Sequence, residues 1–386
     1  MDLLHELAQK LAARTDQRLT RQRQIINEVH GARLEIDGHS FLSFSSNDYL
    51  GLRQHPAVIA AAQRSAARYG VGAGASHLLG GHVTTHHQLE KKLADFVGCP
   101  RALLFSCGYM ANLGIATALL SKGDAVFADR LNHASLNDAA LLSRAKLIRY
   151  PHLDMSKLER LLKSSSAKTK LVLSDAVFSM DGDIAPLADL INLCERHDAW
   201  LLIDDAHGFG VLGEEGRGIL SHYKTRSPRI IYMATLGKAM GVAGAFVAGE
   251  ADIIEALIQF ARTYIYTTAL PPLLVSAGEK SVELLEEESW HLQHLHKAIA
   301  YFTGRLVLHK WRVLPSQTAI QAIVLWESAA ALEVSRKLFE RGLIVPAIRP
   351  PTVPQGTARL RVSLSAAHSI ADLDLLISAL QEIETK

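Results

Sequence analysis

From about residue 100 onward, apolar positions alternate between two patterns. Short apolar runs at 102–106, 125–129, 170–174, 200–204 and 229–233 have the length and composition of buried strands. The stretches 109–120, 135–143, 155–163 and 186–197 between them carry helical spacing. In the last of these, Pro186 suits a first turn, and Leu187, Leu190, Ile191 and Cys194 repeat at i, i+3, i+4 and i+7. Such alternation predicts right-handed crossovers and a mostly parallel sheet with helices on both faces. After Thr268 the pattern changes. Pro271 and Pro272 open a helix reaching 288, and a second follows over 289–309. Then come a strand at 320–325, a helix at 330–341, and strands at 343–347 and 358–365. A capping box from Ser369 to Asp372 starts a last helix, with Leu373, Leu376, Ile377 and Leu380 on one face. Leu4, Leu7 and Leu11 make the first ~18 residues a short surface-packing helix.

The predicted organisation is an N-terminal helix and arm (1–50), a large α/β unit (51–270) and a smaller C-terminal α+β unit (271–386). The absence of a repeat or a flexible linker predicts a rigid interface between the units. At 386 residues, 48% of them apolar, the chain is long enough for a large core without disulfides or a structural metal. The 41 basic residues nearly balance the 39 acidic ones, which leaves no electrostatic footprint for nucleic acid. The run 111–120, closed at once by Lys122 and Asp124, is half a bilayer span, so no membrane helix is expected. His5, Glu6, Lys10 and Arg14 interrupt any signal-peptide core, and Asp2, Glu6 and Asp16 disfavour a transit peptide. Three cysteines without a CxxC fit a reducing compartment, and a cytoplasmic protein is expected.

Ligands of open α/β sheets bind where the strands end at their carboxyl side, so those positions carry the information. After the first strand, CGYMAN at 107–112 is a glycine turn entering a helix; its N–H groups suit a phosphate, or it is an ordinary βα turn. GVGAGAS at 70–76 follows no strand and lacks a GK[ST], which argues against a dinucleotide site or a P-loop. The strand 200–204 runs into DDAHG at 204–208. Asp204 and His207 there are open to three readings: metal ligation, a carboxylate paired with a cofactor's ring nitrogen, or a loop-capping Asp with a solvent-facing His. The next strand runs into TLGK at 235–238, and a lone lysine in a small, Gly-rich turn is placed for chemistry. Lysine, acidic partner and phosphate-binding helix start are together what pyridoxal 5'-phosphate requires.

These residues resemble the α-oxoamine synthases, fold-type-I pyridoxal-phosphate enzymes that condense an amino acid with an acyl thioester and release CO₂. The resemblance rests on FSSNDYLGL (44–52), DRLNHAS (129–135), VFSMDGD (177–183), DDAHG (204–208) and TLGK (235–238), and covers the chain in order. The tail RPPTVPQGTARLR (349–361) resembles the member of that family that joins L-alanine to a pimeloyl thioester.

The resemblance implies that Lys238 carries the cofactor as a Schiff base and that Asp204 pairs with the pyridinium nitrogen. By the same resemblance His207 and Ser179 bond the phenolic-oxygen side, and His133 stacks on the ring and donates to the acyl oxygen. Gly108, Tyr109 and Thr235 hold the phosphate. Arg361, helped by Asn47, takes the amino-acid carboxylate, while Arg21 and Thr352 touch the acyl substrate. It further implies a homodimer with shared active sites, where Thr267 or Thr268 reaches the neighbour's phosphate.

The sequence departs from the family pattern at Asp175 and Ala176 (Glu and Gly expected), Phe209, Tyr109, His77 and His82, which bears on the acyl pocket's shape. Two alternatives stay open: a relative using glycine and acetyl-CoA or other substrate pairs, and a silent scaffold subunit, against which Lys238, Asp204, His207 and His133 speak. No metal is expected. His291, His294 and His296 do not share one helical face, and His86-His87 brings no ligand set at metal spacing. Arg14, Arg18, Arg21 and Arg23 read either as a surface stripe or as contacts for CoA phosphates.

Overall fold

The computed structural model describes residues 2–17, 19–21 and 23–385; Arg18 lies outside them. Seven strands form the central sheet, in the order Arg101–Phe105, Ala245–Gly249, Ile230–Thr235, Trp200–Asp204, Lys170–Asp175, Ala125–Asp129, Lys146–Tyr150. All neighbours are parallel except Ala245–Gly249, which runs antiparallel to both of its partners. Side chains alternate between the faces. Phe127, Val172, Leu201, Ile203 and Tyr232 join one core, and Val126, Leu171, Leu173, Leu202 and Ile231 the other. Helices cover both faces, with Leu187–Arg196 burying Leu187, Leu190, Ile191 and Cys194 as its spacing predicts.

Lys146–Tyr150 and Ala245–Gly249 were not legible as strands. The first is an edge strand with half-exposed, mixed side chains, and the second is only five residues between glycines. The helices Pro56–Tyr69, Thr84–Val97 and Ala251–Phe260 are likewise additional. Pro272–Glu287 packs against the first two of these, which ties the start of the C-terminal region to the large sheet's helical layer.

The predicted strand at 343–347 is two strands in two different sheets. Leu343–Ile344 pairs parallel with His39–Ser43, completing a four-stranded N-terminal sheet that also holds Glu28–His30 and Arg33–Ile36. Ala347–Ile348 pairs with Ala358–Ser363, in an antiparallel sheet completed by Ile320–Trp326 and Arg312–Val313. Pro346, which has no N–H for a ladder, sits where the chain changes sheets. The helix Leu3–Asp16 buries none of its residues; Leu4, Leu7 and Leu11 face outward instead of packing on this chain.

Glu384, near the end of Ile370–Thr385, is buried and accepts N–H bonds from His309, Lys310 and Trp311 at 2.8–3.0 Å. Burial alone raises its pKa, but the bonds from His309, Trp311 and Lys310 outweigh it and hold the carboxyl below its ordinary value. Its stabilisation is therefore present at neutral pH and is lost as pH falls through that lowered value. Glu384→Gln is expected to cost about 1–3 kcal/mol at pH 7. Urea midpoints of variant and parent should differ at pH 7 and draw together in acid; equal midpoints at pH 7 would refute the assignment.

Candidate active site

The carboxyl ends of adjacent parallel strands place Asp175, Asp204 and the lysine turn side by side, with Asp175 directly opposite Asp204 in the register. Lys238 follows Ile230–Thr235 in a turn closed by Leu236 N to Gly244 O (2.9 Å), Val242 N to Leu236 O (3.0 Å) and Gly241 N to Lys238 O (2.9 Å). Gly241 is fixed by two demands: a φ of +69°, and a position where a Cβ would lie 2.3 Å from the Arg53 nitrogen. Among the described residues none hydrogen-bonds to the Lys238 ammonium. Burial pushes its pKa down to about 8, opposed by the attraction of Asp204 and Asp175.

Asp204 is buried; its Oδ1 accepts the Ala206 N–H (3.0 Å) and its Oδ2 the Asn112 amide (2.9 Å). The neighbouring carboxylate serves the core instead: Asp205 accepts from Ile219 N (2.7 Å) and the Tyr232 hydroxyl (2.8 Å). Asp175 takes the His133 N–H at 2.7 Å. Burial, then repulsion from Asp204, raises its pKa well above the ordinary carboxylate value. His207 is buried, with Nδ1 2.7 Å from the Tyr49 hydroxyl. Desolvation and the cations Lys238 and Arg361 push its pKa well below the ordinary value and keep it neutral.

Arg361 reaches the same place from the C-terminal sheet. It donates to Ser179 O (2.6 Å), Ser363 Oγ (2.8 Å), Asn47 Oδ1 (3.3 Å) and Tyr49 Oη (3.4 Å). Among the described residues no carboxylate pairs with it, although it is 6% exposed. Its neighbour Arg359 does pair, with Asp181. A buried cation surrounded only by neutral acceptors is a seat for an anion.

Gly108 and Tyr109 begin the helix Gly108–Leu119, whose N-cap Cys107 makes no side-chain bond to the first N–H groups. Thr235 faces this turn: its Oγ1 is buried without a partner, and a Cβ on Gly108 would lie 2.7 Å from its Cγ2. An orphan hydroxyl, open helix N–H groups and a turn that only glycine fits make a cradle suited to a phosphate. With the unbound lysine and the acceptor Asp204, these residues fit pyridoxal phosphate. Arg21 and Thr352 come together in a second cavity of about 370 Å³, shared with Arg14, Thr20 and Arg349. Thr268 is exposed and bridged to Ser76, with Thr267 half-buried beside it. Ser179 is placed by its carbonyl on Arg361.

Three further side chains belong to the site: Tyr49, Asn112 and Ser135. A lone amide in the apolar helix 108–119 was the available signal for Asn112. The histidines 291, 294 and 296 do not converge; they bond three different carbonyls, Leu50 O, His368 O and Val211 O. Other groupings also have structural partners. His152 spans Asp129 and Asp183, His55 accepts from Ala57 N, and Glu90 accepts from Leu104 N.

Residues 39–380 match the family model for aminotransferase class I and II. The chain belongs to that family. Within it, the chain is 56% identical to the 8-amino-7-oxononanoate synthase of Nitrosospira multiformis over 100% of this chain and 98% of the relative. It is 57% identical to that of Herminiimonas arsenicoxydans, over 97% and 98%. Among solved structures, a serine palmitoyltransferase from S. paucimobilis holding a pyridoxal-phosphate–myriocin adduct superposes with a TM-score of 0.94 at 30% identity, covering 99% of this chain and 98% of that one. The 8-amino-7-oxononanoate synthase of Francisella tularensis gives 0.76 at 35% identity, over 89% and 97%. This family member is thus a pyridoxal-phosphate-dependent transferase of the 8-amino-7-oxononanoate synthase type.

Proposed function

We propose that this chain joins L-alanine to a pimeloyl thioester, giving 8-amino-7-oxononanoate, CO₂ and the free thiol carrier. The observation that carries the reading is Arg361, a buried guanidinium that among the described residues has no carboxylate partner, beside a lysine amine that none of them binds. Arg361 and Asn47 hold the alanine carboxylate. Pyridoxal phosphate, when bound, supplies an aldehyde for amino groups and a ring that takes up electrons from the α-carbon. Gly108, Tyr109 and Thr235 would seat its phosphate, and Asp204 would accept a hydrogen bond from the ring nitrogen and keep it protonated. His207 and Ser179 border its phenolic oxygen, while His133 stacks on its ring. Lys238, its pKa brought down to about 8 by burial, anchors the group and takes the alanine Cα proton when free. Net, the acyl C–S bond breaks, a bond forms between the acyl carbon and alanine Cα, and the carboxylate leaves as CO₂. Arg21 and Thr352 serve the acyl substrate, and the cation-lined cavity around them suits the distal carboxylate or the carrier's phosphates.

In this reading 51–270 holds the cofactor and 271–386 brings the substrate carboxylate site. A second copy covers Val71, Leu79 and Tyr266, three apolar side chains 71–82% exposed near the Ser76–Thr268 bridge. Shared sites, with Thr267 or Thr268 facing the neighbour's phosphate, follow from that arrangement. No helix among the described residues is long and apolar enough to cross a membrane, and a cytoplasmic setting fits the three free cysteines.

The test is a competition assay with product mass analysis. Pimeloyl thioester should outcompete acetyl and palmitoyl thioesters. Alanine should exceed glycine by about 10- to 200-fold, because one methyl group discriminates no further. Preference for glycine with acetyl-CoA would move the chain to the sister acetyltransferases.

A further inference from the structure

Asn112 is fully buried in the helix Gly108–Leu119, whose other buried residues are Ala111, Gly114, Ile115 and Ala116. An amide in such a stretch is costly unless its hydrogens find acceptors. Its Nδ2 lies 2.9 Å from Asp204 Oδ2 and 2.9 Å from Ser135 Oγ. An ionised carboxylate only accepts, so Asp204 fixes which end of the amide is which, and the second amide hydrogen falls on Ser135 Oγ. The Ser135 hydroxyl then has its own proton to place. The atom in reach is His133 Nδ1, at 2.7 Å, which also receives the Ser135 backbone N–H at 3.3 Å. With Nδ1 an acceptor twice over, the neutral imidazole carries its hydrogen on Nε2. Asn112 Oδ1, by contrast, is buried without a partner. An orphan acceptor is a cost that an apolar residue would avoid, so stability alone does not account for an amide here.

We propose that Asn112 is a positioning residue with two simultaneous tasks: it holds Asp204 as an acceptor and, through Ser135, fixes His133 as the Nε2–H tautomer. The consequence for chemistry rests on the proposed function. There, Asp204 accepts a hydrogen bond from the protonated ring nitrogen, and His133 presents a hydrogen toward the acyl oxygen instead of a lone pair. The tautomer itself is a property of the protein without cofactor, so it can be tested separately from that reading.

The experiment uses apoprotein labelled with ¹⁵N-histidine, as the parent, Asn112→Asp and Asn112→Ala. In the parent, His133 should show a pyridine-like Nδ1 and a pyrrole-like Nε2. Asn112→Asp keeps the shape but turns the donor into an acceptor, which draws the Ser135 hydroxyl away; His133 should then move toward a mixture of tautomers. Asn112→Ala should do the same and weaken pyridoxal-phosphate binding to the apoprotein about 10- to 100-fold, the loss of one charge-assisted hydrogen bond. A protonated Nδ1 in the parent, or His133 resonances unchanged in the isosteric variant, overturns the proposal. Cofactor affinity within twofold of the parent in Asn112→Ala overturns the Asp204 arm. Should the alanine variant fail to fold, the parent and Asn112→Asp spectra decide alone. Failure of the substrate competition assay would leave all these readouts standing.

Discussion

Lys238→Ala should give a folded protein with no measurable turnover. The turn that carries the lysine is closed by backbone hydrogen bonds from Leu236, Val242 and Gly241, none of which involves the side chain. The ammonium has no hydrogen-bond partner among the described residues, so the circular dichroism of the variant should match that of the parent. Borohydride treatment followed by peptide mass analysis should find a pyridoxyl adduct at Lys238 in the parent and at no lysine in the variant. An adduct elsewhere in the variant would remove Lys238 from its role. The same amine sets a pH dependence. Only the neutral form attacks an aldehyde, and burial brings its pKa down to about 8. Capture of pyridoxal phosphate by the apoprotein should therefore rise about tenfold per pH unit below that value and level off above it. A pH-independent capture rate would contradict the burial argument.

The second large effect is expected at Asp204. In Asp204→Asn the Ala206 N–H keeps an oxygen acceptor, but the amide presents hydrogens where Asn112 already donates. A neutral amide also cannot stabilise a protonated ring nitrogen, so the cofactor should bind while removal of the alanine Cα proton slows. Loss of one preorganised charge interaction corresponds to roughly 10²–10⁴ in rate. Exchange of that proton in deuterated water, followed by NMR, measures the step directly. Exchange at the parental rate would show that Asp204 does not keep the ring nitrogen protonated.

The strand-end residues were legible because a buried strand running into Asp-Asp-Ala-His or Thr-Leu-Gly-Lys is readable over a few positions. The resemblance extended the reading to Arg361 and Asn47, and the structure brings both to one point. What stayed hidden depends on approach through space. Tyr49 lies 158 residues from the His207 that it bonds, and Asn112 lies 92 from Asp204. No local pattern encodes such pairs. The same holds for Leu343–Ile344, which is too short to read as a strand and exists because His39–Ser43 offers it an edge. The outward face of Leu3–Asp16 shows the limit of periodicity: the spacing of Leu4, Leu7 and Leu11 specifies a face but not its partner.

The proposed seat for the substrate carboxylate joins Asn47 to Arg361, 314 residues apart along the chain. At a synthesis rate of about 5–20 residues per second, roughly 15–60 s separate the two on the ribosome. The strand bearing Asp204 and the turn bearing Lys238 emerge well before Arg361 does. In a nascent chain the residues proposed for the cofactor therefore leave the ribosome early, and the proposed carboxylate seat waits for Arg361.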